Sequence, residues 1–233
     1  MNNREPYFKQ TPWSWGELLL LLGLVLVVVP YFIEFLLEGF LAELFQNNLY
    51  SGTFVGFIMS IIFTLGIYYI ALRPNRLSWS NVGLTRFPRS YWIPLAGWTF
   101  VLIIVSIAIA IGMEVLGGEL ENSKTESLQS RMTPINFVIA FVSASIISPI
   151  YEEIFYRGFL YRWFRGKYGI LIGMVVSSLI FMVVHIPTYN VLPTALVSGL
   201  FFSWTYEKTG SIIPGIIMHS TFNGIALIVT VFA

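Results

Sequence analysis

Glu152, Glu153 and Arg157 stand in the stretch SPIYEEIFYRGFLYRWF, where the apolar run 135–147 would otherwise continue. An ionisable side chain inside a membrane span costs at least ~2.5 kcal/mol on insertion scales, so by default it marks a site of function. On a helix Glu153 and Arg157 are spaced i, i+4 and share a face, while Glu152 projects about 100° away. That geometry pairs Arg157 with Glu153 and leaves Glu152 outside the pair. The two histidines of the chain fall in comparable surroundings: His185 closes FMVVH, and His219 opens HSTFN, which puts Asn223 on its own helical face. Carboxylate, imidazole and amide groups from three helices can meet in one buried polar pocket. Both acid–base chemistry and interhelical hydrogen bonding are open to such a set.

Composition narrows the choice. Of the 233 residues 56% are hydrophobic, 17% aromatic and 11% charged, and the mean hydropathy is +0.76, values expected of an integral membrane protein. A net charge of +1 without long basic runs gives no reason to expect nucleic acid as a partner. All acidic residues are Glu and there is no Cys. These absences exclude a thiol nucleophile, a Cys metal site, an aspartyl dyad and a Ser-His-Asp triad. No cleaved signal peptide is expected, because the first apolar run is long, starts late and lacks an A-x-A-like site.

The elements that must carry these residues are predicted to be membrane helices, the only open-chain structure that satisfies its backbone in lipid. About seven spans are expected, near 18–41, 52–72, 92–115, 134–159, 168–186, 191–206 and 212–232. The fold class is therefore an all-α, polytopic transmembrane bundle with a polar site inside it. Pro30, Glu34, Glu38 and Glu43 interrupt the first span, which suggests a span followed by an interfacial helix. Cations cluster at alternate connections: Arg4 and Lys9; Arg73, Arg76, Arg86 and Arg89; Arg157, Arg162, Arg165 and Lys167; and Lys208. Only Lys124 and Arg131 fall on the other side. The positive-inside rule then puts the N-terminus in the cytoplasm and, with seven spans, the C-terminus outside. At ~1.5 Å per residue a fifth span starting near Tyr168 would carry His185 to the far interface, with His219 nearer the middle.

EEIFYR, FMVVH and HSTFN fit EExxxR, FxxxH and HxxxN, in that order. In this the sequence resembles the CPBP family of intramembrane proteases, which covers the type II CaaX prenyl proteases and the Abi-type bacteriocin-processing and immunity proteins. The resemblance covers roughly 135–233, and divides the chain into N-terminal transmembrane helices and loops at 1–130 and a CPBP-like catalytic core at 131–233. It implies an intramembrane endopeptidase acting on a membrane-associated or CaaX-like peptide. Glu152 would be the general base that activates a water, with His185 as its partner in holding and deprotonating that water. His219 and Asn223 would stabilise the oxyanion, and Glu153 and Arg157 would be the supporting ion pair.

A divalent metal such as zinc is a separate question. Glu152, His185 and His219 have the donor types for Zn²⁺, but no HExxH is present and the three come from separate helices. A metal-free glutamate mechanism is the preferred expectation. The expected partners are a peptide or protein substrate in the membrane and the lipid bilayer, in a bacterial plasma membrane. Two other readings use the same residues: a non-catalytic bacteriocin-immunity or scaffold protein, and a proton relay. The relay is ranked last, because no inverted repeat or pair of broken helices is visible.

Overall fold

A computed structural model describes residues 10–118 and 133–232. Arg4, Lys9, Lys124, Arg131 and most of the long polar connection lie outside the described residues. Among the described residues seven helices of at least 14 residues follow one another: α1 (Trp15–Phe45), α2 (Asn48–Leu72), α3 (Arg89–Val115), α4 (Pro134–Tyr168), α5 (Ile170–Val183), α6 (Leu192–Thr209) and α7 (Ile213–Phe232). Among the described residues there is no strand.

Local chemistry sets the starts of these helices. Ser14 caps α1 in a capping box with Glu17, and the Asn47 side chain accepts from the Leu49 and Tyr50 amides at the start of α2. Thr133 accepts from the Asn136 amide ahead of Pro134, and Ser211 accepts from the Ile213 amide. Each cap satisfies an amide that the first turn leaves without a helical partner. Pro30 does not break α1. The helix passes through it with wider, i→i−5 hydrogen bonding over Leu24–Leu37, which absorbs the missing N–H. The expected interfacial break is thus replaced by one helix of 31 residues.

All seven expected helices are present, and α1, α2, α3, α4 and α7 are long and apolar enough to cross a membrane. The protein is an integral membrane protein of all-α architecture. The other two differ from the expectation. The 14 residues of α5 rise only ~21 Å, against a hydrocarbon core of ~30 Å. In α6, Ser198, Gly199, Ser203, Thr205 and Thr209 are buried, so its polar groups face protein.

The depth of α5 follows from the length of α4. With 35 residues, α4 rises ~52 Å, so its basic end, Arg162–Tyr168, overshoots the hydrocarbon. Gly169, at φ +87°, turns the chain, and α5 starts from that overshoot. Counted from the turn, Glu152 lies about 24 Å back along α4 and His185 about 22 Å along α5. By this count His185 comes level with Glu152, which the span limits in the sequence left open.

The overshooting end of α4 is collared by the segment before α1. The Trp13 indole donates to the Ala71 carbonyl at 2.9 Å, the Trp163 indole donates to the Ser14 carbonyl at 3.0 Å, and the Lys167 ammonium sits 4.8 Å above the Trp163 ring. The connection between α2 and α3 packs underneath. Val82 is fully buried and lies so close to Gly158 that a Cβ there would come within 2.4 Å of the Val82 carbonyl. The same connection holds the α6–α7 turn, through Ile212 N–H to Gly83 O at 2.9 Å and Ser211 Oγ to Thr85 O at 2.5 Å. Leu21, Phe63, Phe155, Phe159, Phe181 and Tyr206 share one apolar core, so helices from both ends of the chain position α4.

Candidate active site

Three helices build the site around the middle of α4. Over Ile154–Tyr161 that helix again adopts i→i−5 hydrogen bonding, and all eight of its residues are buried. Glu153 accepts from Arg157 Nη1 at 2.8 Å, with both side chains essentially without solvent contact. The i, i+4 pairing expected from the sequence is formed. The guanidinium is sandwiched between aromatic rings, 4.4 Å from Phe181 and 5.0 Å from Phe202. Arg157 Nε and Nη2 have no hydrogen-bond partner, so the π faces of these rings take the place of acceptors.

α7 runs antiparallel to this part of α4. Gly215 lets it approach, since a Cβ there would sit 3.0 Å from Glu153 Oε2. One turn on, His219 Nδ1 lies 3.2 Å from Glu153 Oε1. A carboxylate can only accept, so Nδ1 carries the proton and Nε2 is left as the acceptor. Nε2 in turn lies 3.8 Å from Glu152 Oε2; the His219 side chain is 6% exposed and that of Glu152 18%. The imidazole stacks on Phe202 at 4.7 Å and 23° and meets the edge of Phe181 at 5.9 Å and 88°. Asn223 lies one turn further, and its amide donates to the Ala144 carbonyl at 3.0 Å.

His185 reaches the cluster through Phe181. Its ring packs against Phe181 at 4.8 Å, and Nδ1 donates to the Phe181 carbonyl at 2.7 Å, so Nε2 is an acceptor while the ring is neutral and a donor once it is protonated. One aromatic ring thus lies between the two histidines. The structure brings Glu152, Glu153, Arg157 and His219 into direct polar proximity, places His185 on the other side of Phe181, and ties Asn223 to the α4 backbone.

Two participants carry no chemical motif. Phe202 is the second of two adjacent Phe in α6, and its only sequence signal is its size. Glu34, read in the sequence as an interruption of the first span, lies within electrostatic reach of Tyr151 and Tyr156, as Glu152 does. The residues do not fit a metal site: among the described residues no group of three His or Glu side chains converges on a common point, and Glu153 rather than a metal orients His219.

Residues 134–225 match the family model for type II CAAX prenyl endopeptidase Rce1-like proteins. This stretch is similar to Rce1-like proteins. The chain is also 32% identical over 149 residues to the membrane-embedded CAAX protease MroQ of Staphylococcus aureus, covering 60% of this chain and 59% of that one. It is 28% identical over 135 residues to the putative membrane peptidase YdiL of Bacillus subtilis, covering 58% and 54% respectively. The UPF0177 protein YbdI of Lactococcus lactis is 27% identical over 108 residues, 46% of this chain and 57% of that protein. The chain therefore spans between 54% and 59% of the length of these relatives. No solved structure matches. The matched stretch contains Glu152, Glu153, Arg157, His185, His219 and Asn223.

Proposed function

We propose that the protein is an intramembrane endopeptidase of a bacterial plasma membrane, hydrolysing a peptide bond in a membrane-associated or CaaX-like peptide. The observation that carries this reading is the 3.8 Å separation of Glu152 Oε2 and His219 Nε2. Two acceptors that far apart can each receive one O–H of a single water at ~2.8 Å. Glu152 takes the proton as the water oxygen attacks the substrate carbonyl carbon, then returns it to the leaving nitrogen as the C–N bond breaks. His219 holds the water, and Glu153 keeps its ring in the tautomer that makes Nε2 an acceptor. Arg157 compensates the charge of Glu153. His185, protonated at Nε2, donates to the carbonyl oxygen as negative charge develops there. This exchanges the places of the two histidines relative to the family resemblance, because His219 is the imidazole beside Glu152.

The chemistry needs no metal, and none of these steps is routed through one. The test is cleavage by the purified protein of a peptide library with hydrophobic and prenylated C-termini, beside Glu152→Gln. Cleavage that the variant lacks supports the protease. A folded Glu152→Gln that cleaves as fast as the parent overturns it, and a parent without cleavage that still binds peptide through the same cavity shifts the reading to an immunity or scaffold role.

A further inference from the structure

The side chain of Asn223 occupies a position in the hydrogen-bond ladder of α4. Over Ser143–Ile147 that helix bonds i→i−5, and the ladder closes with Ser148 N–H on the Ser143 carbonyl. The next residue, Pro149, opens the α-helical stretch Ser148–Glu153 and has no N–H to give in either register. In the i→i−5 register the carbonyl it would serve is that of Ala144. The donor found there is Asn223 Nδ2 from α7, at 3.0 Å. Lipid offers no substitute for a missing backbone donor, and a proline in a membrane helix is tolerated where a neighbouring side chain re-satisfies the freed carbonyl.

We propose that Asn223 is a positioning residue, an interhelical surrogate for the N–H missing at Pro149, which sets the register of α7 on α4. The inference deepens the proposed protease reading and rests on it for its kinetic arm. Three contacts at one-turn intervals follow one line along α7: Gly215 on Glu153, His219 on Glu153 and Glu152, and Asn223 on Ala144. From Gly215 to Asn223 α7 rises about 12 Å, and from Glu153 back to Ala144 α4 spans about 13 Å. The line is thus in register from end to end. At its far end Gly224 packs against Ser145, where a Cβ would come within 3.5 Å of Oγ. Fixing Asn223 fixes the height and rotation at which His219 meets Glu152. This role is additional to the oxyanion donor implied by the family resemblance, because one Nδ2 hydrogen is committed to Ala144 and the amide has a second.

Replacing Pro149 by Ala restores an N–H at the position that lacks one, which makes a rescue experiment possible. The full chain in proteoliposomes carries Asn223→Ala, Pro149→Ala, or both, and kcat and KM for peptide hydrolysis are measured. A register shift of the order of 1 Å is expected to lower kcat about 100-fold in Asn223→Ala with KM little changed. The double variant should recover to within about threefold of Pro149→Ala alone, whereas a double variant as slow as Asn223→Ala overturns the proposal. A second readout works without any activity. The chain has no cysteine, so Ser145→Cys with Gly224→Cys reports the α4–α7 register by disulfide formation, which needs Cβ atoms ~4 Å apart. Asn223→Ala should reduce that cross-link and Pro149→Ala should restore it. Unchanged cross-linking in Asn223→Ala overturns the proposal whether or not any peptide is cleaved.

Discussion

His219 and Glu153 are joined across the α4–α7 interface, Nδ1 to Oε1 at 3.2 Å, by the same carboxylate oxygen that receives Arg157 at 2.8 Å. One buried oxygen thereby neutralises a cation from its own helix and orients the imidazole of another. The remaining imidazole nitrogen faces Glu152, so the two adjacent glutamates do different work because they point in different directions from α4.

Breaking the buried pair separates stability from activity. Glu153→Gln or Arg157→Ala leaves one buried charge without its partner, which costs ~3–5 kcal/mol of stability. Glu153→Leu combined with Arg157→Met should unfold nearer to the parent temperature yet stay inactive, since His219 Nδ1 loses its acceptor. Thermal unfolding in detergent alongside peptide hydrolysis measures both, and an active double variant would contradict the orienting role of Glu153.

Phe202 carries the imidazole of His219 on one side and lies against the Arg157 guanidinium. Phe202→Leu keeps an apolar side chain but removes the π face, worth up to ~2 kcal/mol against a desolvated cation. The expected outcome is a folded protein with hydrolysis lowered about 10-fold, about 1.4 kcal/mol of barrier. Phe202→Tyr should stay within about threefold of the parent, as the stacking surface is retained.

Metal removal gives a third test. Because Glu152, His185 and His219 do not converge on a common point, exhaustive chelation should leave the hydrolysis rate within about twofold, less than ~0.5 kcal/mol of barrier. Loss of activity on chelation, restored by zinc, would establish a metal centre and displace the glutamate mechanism.

Gly158 is needed for close approach, not for backbone freedom. A methyl group there would collide with the Val82 carbonyl at 2.4 Å. Gly158→Ala should therefore destabilise the protein by ~1–3 kcal/mol by overpacking, read as a lowered unfolding temperature. Val82→Gly in the same chain does not relieve the carbonyl clash and should fail to rescue it.

The helices were legible from their apolar runs, because lipid leaves the backbone no alternative to a helix. The Glu153–Arg157 pair was legible because both residues lie on one helix with fixed spacing. The height of α5 was not: an apolar run ending at Phe159 does not show that the helix continues to Tyr168 before the chain turns, so the depth of His185 could not be read. Nor was the bond from His219 to Glu153, which depends on how two helices pack and turn. Phe202 had no signal beyond its size, since an apolar residue in an apolar helix looks the same whether it meets lipid or a histidine. Asn223 was read through its spacing from His219, and the sequence could not show that its amide would meet a carbonyl left without a donor by Pro149.

The most direct test of the shared water is a double-mutant cycle on single-turnover hydrolysis, with Glu152→Gln, His219→Ala and the double variant. Loss of the base should cost about 10²–10⁴-fold. If both side chains act on one water, the double variant falls no further than Glu152→Gln alone, because residues that act as a unit are non-additive. Losses that multiply in the double variant would show that the two act on separate steps, and a fully active Glu152→Gln would contradict the mechanism at its base.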